Sequence, residues 1–214
     1  MAQAQFATVG PLASASTTNI RTASAISAAG SVTLNGTLVS GGVATLDKPR
    51  RILFTFASSE VGHNYVLTGT NWGGNVIGET IVGTAPGAVA SVLSYATLTS
   101  VVADAASTGN VSIGTNALAT SPWVQFDRYA KGGVAIQLVV TGTVNYTLQQ
   151  TLDDPNSTVN PVLPQNMTWF SSADTAVVAV TASAQTNYMF PPVWARILLS
   201  SGTGSVAGTF VQGG

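Results

Sequence analysis

Apolar and polar residues alternate with a period of two along much of the chain from residue 31 onward. Successive side chains of a strand point to opposite faces, so this period predicts β-strands rather than helices. The alternation is cleanest at 134–140 and 144–148, and the Thr-Gly-Thr between these runs predicts a tight turn or a bulge. The apolar faces of the alternating strands predict a set of buried residues: Ile52, Phe54, Phe56, Val134, Ile136, Leu138, Val140, Tyr146 and Leu148.

Shorter segments carry the same signal. The run SVTLNGTLV at 31–39 predicts a strand, and NYVLTGT and NVIGETIVGT, separated by Asn-Trp-Gly-Gly, predict a hairpin. The segment SVLSYATLTSVVADAA at 91–106 is compatible with a strand or a helix. A Pro-rich loop at 153–167 precedes three further predicted strands, TAVVAVTA, VWARILLSS and SVAGTFVQG.

These patterns predict an all-β fold of antiparallel sandwich- or barrel-like units with an extended N-terminal arm. Residues 31–120 form one predicted β domain and residues 121–214 a second one. Residues 1–30 are rich in Ala, Ser and Thr and have too few large apolar groups for a core of their own. They predict either a disordered tail or an arm that orders on a neighbouring subunit. Since strand addition to a sheet edge suits such a segment, we expect the arm to extend away from its own domain and to contact a neighbouring chain.

The composition excludes several classes of protein. Only 7 basic and 8 acidic residues occur among 214, which is 7% charged residues with a net charge of −1, against about 25% in ordinary domains. A nucleic-acid binder needs clustered Lys and Arg, so this class is not expected. The absence of cysteine excludes disulfides, thiolate zinc sites and cysteine nucleophiles. No apolar stretch of membrane-spanning length exists, and the N-terminus MAQAQFATVGPLAS lacks the pattern of a secretion signal.

His63 is the one histidine, and Glu60 precedes it by three residues. On a helix this spacing places two metal ligands on one face, but Gly62 and the adjacent strands predict a turn. Counting does not exclude a Ser-His-Asp triad, but no G-x-S-x-G motif is present. We therefore expect no metal site or hydrolase site at His63.

Asp153 and Asp154 could form a carboxylate pair or ligate calcium. Neighbouring strand residues point to opposite faces, so the two converge only if a loop turns them together. Followed by Pro155, they predict a turn, because aspartate side chains accept backbone N–H bonds.

The run Asp-Lys-Pro-Arg-Arg at 47–51 holds four of the 15 charged residues. It could meet an acidic partner. The simpler interpretation is a solvated strand start with Pro49 blocking an edge.

Four tryptophans, at positions 72, 123, 169 and 194, could line a sugar-binding face. Tryptophans serve more often as anchors of a core or an interface.

The segment order resembles that of β-rich accessory structural proteins of tailed-bacteriophage virions. The residues that carry this resemblance are SVTLNGTLVSGGVATLDKPRRILFTFAS, YVLTGTNWGGNVIGETIVG, LSYATLTSVVA, GNVSIGT, VTGTVNYTLQQTLDDP and VWARILLSSGTGSVAGTFVQG. They span about residues 31–214. The resemblance implies a non-enzymatic virion component, either a capsid decoration (cement) protein or an accessory protein of the tail or neck. It implies no catalytic residues.

The expected function is therefore that of a virion structural protein that binds and reinforces the phage head. Its expected partners are the major capsid protein or other virion proteins and further copies of itself, without nucleic acid or membrane. It would be assembled in the bacterial cytoplasm without a signal peptide. No catalytic, cofactor-binding or metal-binding residue is assigned, and no cofactor is expected. The alternative is a carbohydrate-binding or adhesion module, which a row of exposed Trp or Tyr on one sheet face would favour.

Overall fold

The computed structural model describes residues 3–130 and 132–213. Their contacts divide the chain into two units. The inserted unit is Ala13–Ala117, and the terminal unit combines the preceding residues, up to Leu12, with those from Leu118 onward. The inserted unit thus interrupts the sequence of the terminal unit after the first strand.

Seventeen strands and two short 3-10 helices form the described part of the chain. In chain order the strands are β1 (Gln3–Val9), β2 (Ser16–Ala25), β3 (Gly30–Ser31), β4 (Val39–Ser40), β5 (Val43–Phe56), β6 (Asn64–Thr70), β7 (Val76–Val82), β8 (Gly87–Ala90), β9 (Tyr95–Ala103), β10 (Asn110–Thr120), β11 (Val124–Gln125), β12 (Val134–Thr141), β13 (Val144–Thr151), β14 (Phe170–Ser171), β15 (Ala184–Tyr188), β16 (Trp194–Gly202) and β17 (Ser205–Gln212). The 3-10 helices are Pro164–Asn166 and Thr175–Val177. The described residues include no helix with the length and apolarity needed to cross a bilayer.

The sheet of the inserted unit has the strand order β10-β5-β9-β6-β7, with β2 paired to β10, β3 to β9, and β4 and β8 to β5. Its core is apolar and includes the aromatic trio Phe54, Phe56 and Tyr65, whose ring centroids lie 5.5–6.0 Å apart. The alternation of apolar residues along β5 and β6 places these rings on one side of the sheet, so the sequence period directly determines the core.

The terminal unit has a four-stranded sheet, β1-β17-β12-β15, and a second group of strands, β14-β13-β16, with β11 and the end of β10 paired to β16. One buried apolar cluster takes its members from both, including Ile136, Leu138, Phe210, Tyr146 and Ile197. Two antiparallel layers that share a core form a sandwich-like arrangement, as the sequence predicts.

The predicted buried set is confirmed, because eight of its nine members are at most 3% exposed and only Val140 is partly exposed. The predicted hairpin forms as β6 and β7. In its turn, Asn71 Oδ1 accepts hydrogen bonds from the amides of Gly73 and Asn75, and Gly74 adopts a φ of 78°. The segment 91–106, left open between strand and helix, contains strand β9.

Two strand predictions are wrong. The run 31–39 is irregular between β3 and β4, because the amides of Asn35 and Gly36 both bond to the carbonyl of Ile20 rather than to a sheet ladder. The run TAVVAVTA forms a 3-10 helix, Thr175–Val177, whose first turn is capped by Asp174. Ala179 then has a positive φ of 53°, which ends any extended run.

The prediction that residues 1–30 extend away from their own domain is also wrong for the two strands that they contain. Strand β1 pairs with β17 over seven residue pairs, and β2 pairs with β10. Ala7 and Val9 of β1 are buried in the core of the terminal unit, and Ile20 of β2 is buried in the core of the inserted unit. Small side chains sufficed for strand pairing because the partner strands supply most of the apolar bulk. The segment is therefore divided between the two units.

Candidate functional site

All eight acidic side chains of the chain accept a hydrogen bond from a backbone N–H group. The pairs, with the acceptor first, are Asp47 with Ala13, Glu60 with Thr108, Glu79 with Val92, Asp104 with Asn64, Asp127 with Tyr129, Asp153 with Thr168, Asp154 with Asn156 and Asp174 with Ala176. Carboxylates that bind backbone amides stabilise turns and loops. The few acidic groups of this chain thus act in its internal architecture.

Glu60 is fully buried in the turn between β5 and β6. Its Oε1 accepts hydrogen bonds from the amides of Thr108 and Gly109 at 2.8 and 3.1 Å, and its Oε2 accepts one from the Tyr65 hydroxyl at 3.0 Å. The buried carboxylate holds the loop before β10 against the turn. Burial, and then the hydrogen bond and negative charge of Glu60, raise the pKa of Tyr65. His63 Nδ1 lies 3.5 Å from Oε2.

The turn predicted around Gly62 is confirmed, since the His63 amide donates to the Glu60 carbonyl and Gly62 has a φ of 91°. Asp104 accepts two hydrogen bonds from Asn64, and these bonds, led by the backbone one, lower the pKa of Asp104. Within residues 3–130 and 132–213, no three His, Cys, Asp or Glu side chains form a cluster that could hold a metal ion.

Arg50 occupies a position that neither sequence interpretation of the run 47–51 foresaw. Its side chain is 1% exposed, and its guanidinium donates to the carbonyls of Ala13 at 2.8 Å and Asn116 at 2.7 and 2.9 Å. Asp47 Oδ1 accepts a fourth hydrogen bond from Arg50 at 3.1 Å, and Asp47 Oδ2 accepts one from the Ala13 amide at 2.7 Å. Ala13 and Ala117 are the first and last residues of the inserted unit, so Arg50 fastens both of its ends to β5.

We call Arg50, Asp47 and the Ala13 and Asn116 backbone groups that they bind the clasp. The hydrogen bonds of the clasp shift the pKa of Asp47. Burial alone would raise the pKa of Asp47, but the bonds from the Ala13 amide and from Arg50 together lower it below its ordinary value. The neighbouring Arg51 is partly buried, and burial lowers its pKa. Arg50 is therefore neither a solvated strand start nor part of an exposed basic patch.

Arg21 is the second buried arginine of the inserted unit, with 5% of its surface exposed. It donates to the carbonyls of Val111, Ser24 and Ala25 and so ties β2 to β10 where their register shifts. Burial lowers the pKa of Arg21. A guanidinium with several donors suits this role, because it satisfies carbonyls that the irregular pairing would leave unbonded.

Asp153 and Asp154 do not converge. Asp153 accepts a bond from the amide of Thr168, whereas Asp154 forms an ion pair with Arg128 and accepts a bond from the amide of Asn156. The predicted turn at Asp154 is confirmed by this last bond. Each carboxylate holds a different part of the Pro-rich loop.

Three of the four tryptophans form a cluster with Met167 and Val193 in the terminal unit. The centroid of the Trp123 ring lies 5.2 Å from that of Trp169 and 6.0 Å from that of Trp194. The guanidinium carbon of Arg196 lies 4.1 Å from the Trp169 ring centroid, a cation–π contact. Their interpretation as packing anchors is confirmed for these three. Trp72 lies in the β6–β7 turn and is 37% exposed.

Two surface features of the terminal unit expose phenylalanine side chains. A groove of about 510 Å³ in the terminal unit is lined in part by Leu152, Phe170 and Phe190, which are 78, 62 and 85% exposed. The outward side of the four-stranded sheet bears the second, where Phe6 is 73% exposed on β1. Exposed phenylalanines are not foreseen by the sequence pattern, because periodicity gives the face of a residue and not what covers it.

Compared with known proteins, the chain matches no protein-family model, and no curated protein is significantly similar to it in sequence.

Proposed function

We propose that this chain is a structural protein of a tailed-bacteriophage virion and that it binds the head lattice as a capsid decoration protein. The observation that carries the proposal is the use of its charges: all eight carboxylates hold backbone amides, and Arg21 and Arg50 are buried on backbone carbonyls. With 15 charged residues in 214, of which Arg21, Arg50, Glu60 and Asp154 are buried, the surface has few charged groups with which to keep the chain apart from other proteins.

A charge-poor surface suits a protein that spends its life in a symmetric lattice. There, apolar area and uncharged hydroxyl and amide contacts provide cohesion, and high local concentration compensates for modest affinity per contact. The resemblance of residues 31–214 to accessory virion proteins supports the same proposal. Expected partners are the major capsid protein and further copies of this chain.

The test is binding to heads. Purified chain is mixed with phage heads that lack it, the heads are sedimented, and bound chain is quantified and located by cryo-electron microscopy. We expect saturable binding at symmetric positions on the capsid and heads that resist heat or low salt better than undecorated ones. Density on the tail or neck alone would reject the decoration role, and no binding to any virion part would reject the proposal as a whole.

A hydrolase at the Glu60–His63 turn is tested in parallel with His63→Ala. Because the imidazole is a side contact of a buried carboxylate, the variant should bind heads as the wild-type chain does. An enzymatic activity of the wild-type chain that this variant loses would contradict the structural role.

A further inference from the structure

The described residues on the outward side of the four-stranded sheet in the terminal unit are uncharged. Cross-strand pairing places Phe6, Thr209, Gln137 and Gln185 side by side in one row across β1, β17, β12 and β15. Above and below this row, the outward residues of these strands are Ala, Ser, Thr, Val and Asn. We call this surface the neutral face. The described residues of the face include no Asp, Glu, Lys or Arg.

We propose that the neutral face is a self-association surface, on which a second copy of this chain docks about a two-fold axis parallel to the strands. In a two-fold interface, identical surfaces meet, so a charged residue near the axis meets its own like charge. The neutral face avoids this repulsion and the cost of removing ions from water. Its Gln, Asn and Thr side chains both donate and accept hydrogen bonds, so each can pair with a copy of itself.

Under that axis, the exposed Phe6 ring of one copy meets a hollow in the face of the other. A rotation about an axis parallel to the strands reverses strand order in the second copy, so β1 faces β15 and β17 faces β12. Phe6 of one copy then lies over Gln185 of the other. Beside Gln185 is a hollow of about 270 Å³, lined also by Val139, Ser183 and Ala184. A cavity of about 150 Å³ accommodates benzene, so this hollow can receive the Phe6 ring.

The area is sufficient for a stable pair. Four strands at about 4.8 Å spacing and about 17–27 Å long give a face of roughly 400–500 Å² in projection. Side-chain relief increases the accessible area, so two copies bury on the order of 1,000–1,400 Å² in total, which reaches the size of specific interfaces. Aligned packing of two sheets at about 10 Å is a common arrangement and would extend the sandwich by one layer.

Sedimentation of the purified chain tests the pairing. We expect a dimer of twice 21.7 kDa, and both Phe6→Asp and Gln137→Lys should weaken dimerisation at least about 100-fold, because each places two charges in the interface. The matched control Phe190→Asp changes an exposed phenylalanine outside the neutral face and should remain dimeric. Circular dichroism verifies that each variant is folded. A monomeric wild-type chain, or a dimer that survives both face variants, overturns the proposal.

Cysteine cross-linking tests the predicted axis, since the natural chain has no cysteine. The double variant Phe6→Cys/Gln185→Cys should form covalent dimers under mild oxidation, whereas Phe190→Cys/Gln185→Cys should not. Equal cross-linking of the two would reject this docking geometry. The inference does not depend on the virion assignment: a dimer that fails to bind heads counts against the proposed function only, and a monomer that binds heads counts against the neutral face only.

Discussion

The two units are both all-β and poor in charged residues, but they differ in which side chains they bury. The inserted unit buries three charged side chains, Arg21, Arg50 and Glu60, at 5% exposure or less, and each binds backbone groups of loops or strand ends. The terminal unit buries one charged side chain to that degree, Asp154, and adds a cluster of three tryptophans to the Phe126, Tyr188 and Phe210 rings of its core.

The difference follows from chain connectivity. Both ends of the inserted unit, Ala13 and Ala117, continue into the terminal unit, and irregular stretches beside β2 and β5 leave carbonyls and amides that no ladder satisfies. Buried ions with several donors or acceptors satisfy many such groups at once. The terminal unit has long regular ladders, such as the eight pairs of β12 with β17, and its remaining need is apolar bulk. Among the described residues, three of the four charged side chains that are at most 5% exposed therefore lie in the inserted unit, where pairing is irregular along β2 and β5.

The largest expected effect concerns the terminal unit. Deleting residues 2–12 removes β1 and its seven pairs with β17 and uncovers the core around Val206 and Phe210. We expect this unit to unfold while the inserted unit stays native, because the inserted unit has its own core. Two-dimensional NMR measures both, and Phe6→Asp, at an exposed site, is the folded control. Native signals from both units in the deletion variant would contradict the assignment of β1.

Next in size is the substitution Arg50→Met in the inserted unit. It leaves the carbonyls of Ala13 and Asn116 unbonded and Asp47 without its cation, so unfolding free energy should fall by about 3–5 kcal/mol. Urea denaturation of the full chain measures this loss. Lys48→Met, two residues away, should change stability by no more than about 0.5 kcal/mol. A loss of unfolding free energy for Arg50→Met as small as that for Lys48→Met would show that the hydrogen bonds of Arg50 contribute little to stability.

Glu60→Ala should cost somewhat less. It removes the acceptor of two amides and one hydroxyl, and about 2–3 kcal/mol is expected for leaving buried donors unbonded. The loss should appear as faster amide hydrogen exchange at Thr108 and Gly109. Tyr65→Phe, which removes a single bond to Glu60, should cost about 1 kcal/mol and leave exchange at those amides unchanged. Unprotected amides in the wild-type chain would contradict the observed bonds.

A smaller effect is expected from Arg196→Met in the terminal unit. The guanidinium contacts the Trp169 ring and donates to Gln149 Oε1, and the loss of both should cost about 1 kcal/mol. Because methionine keeps much of the apolar stem, the tryptophan cluster should persist, with altered fluorescence. A loss of unfolding free energy as large as that of Arg50→Met would show that the two units do not differ in how strongly they depend on an arginine.

The smallest effect is that of acid on the clasp. The pKa of Asp47 is lowered in the folded state, so the unfolded state binds the proton more tightly. The stability that Asp47 contributes is therefore present above a pH of about 4, the ordinary pKa of aspartate, and is lost as the pH falls through the lowered pKa. Denaturation midpoints from pH 7 to 2.5 should show this decline. Asp47→Asn should flatten part of it, and an unchanged slope would indicate that other carboxylates account for it.

The sequence by itself determined the class of the fold and most of its core. A period of two assigns each residue of β5, β12 and β13 to one face, and burial of the apolar face follows from the hydrophobic effect, so Phe54, Ile136 and Leu148 could be assigned without coordinates. The turn chemistry of Asn71 and Asp154 is equally local, since each side chain bonds amides within a few residues.

Only the tertiary structure decided where the long-range partners lie. Glu60 meets Thr108 across 48 residues and Arg50 meets Asn116 across 66, and no local pattern encodes such pairs. Strand β1 is a second case, because its small side chains predict no strand by themselves and its position depends on pairing with β17. The neutral face is a third, because its row combines residues from four strands that are distant in sequence. Periodicity fixes which way a side chain points, but its partners depend on which strands become neighbours, and this is set by the cooperative packing of the whole unit.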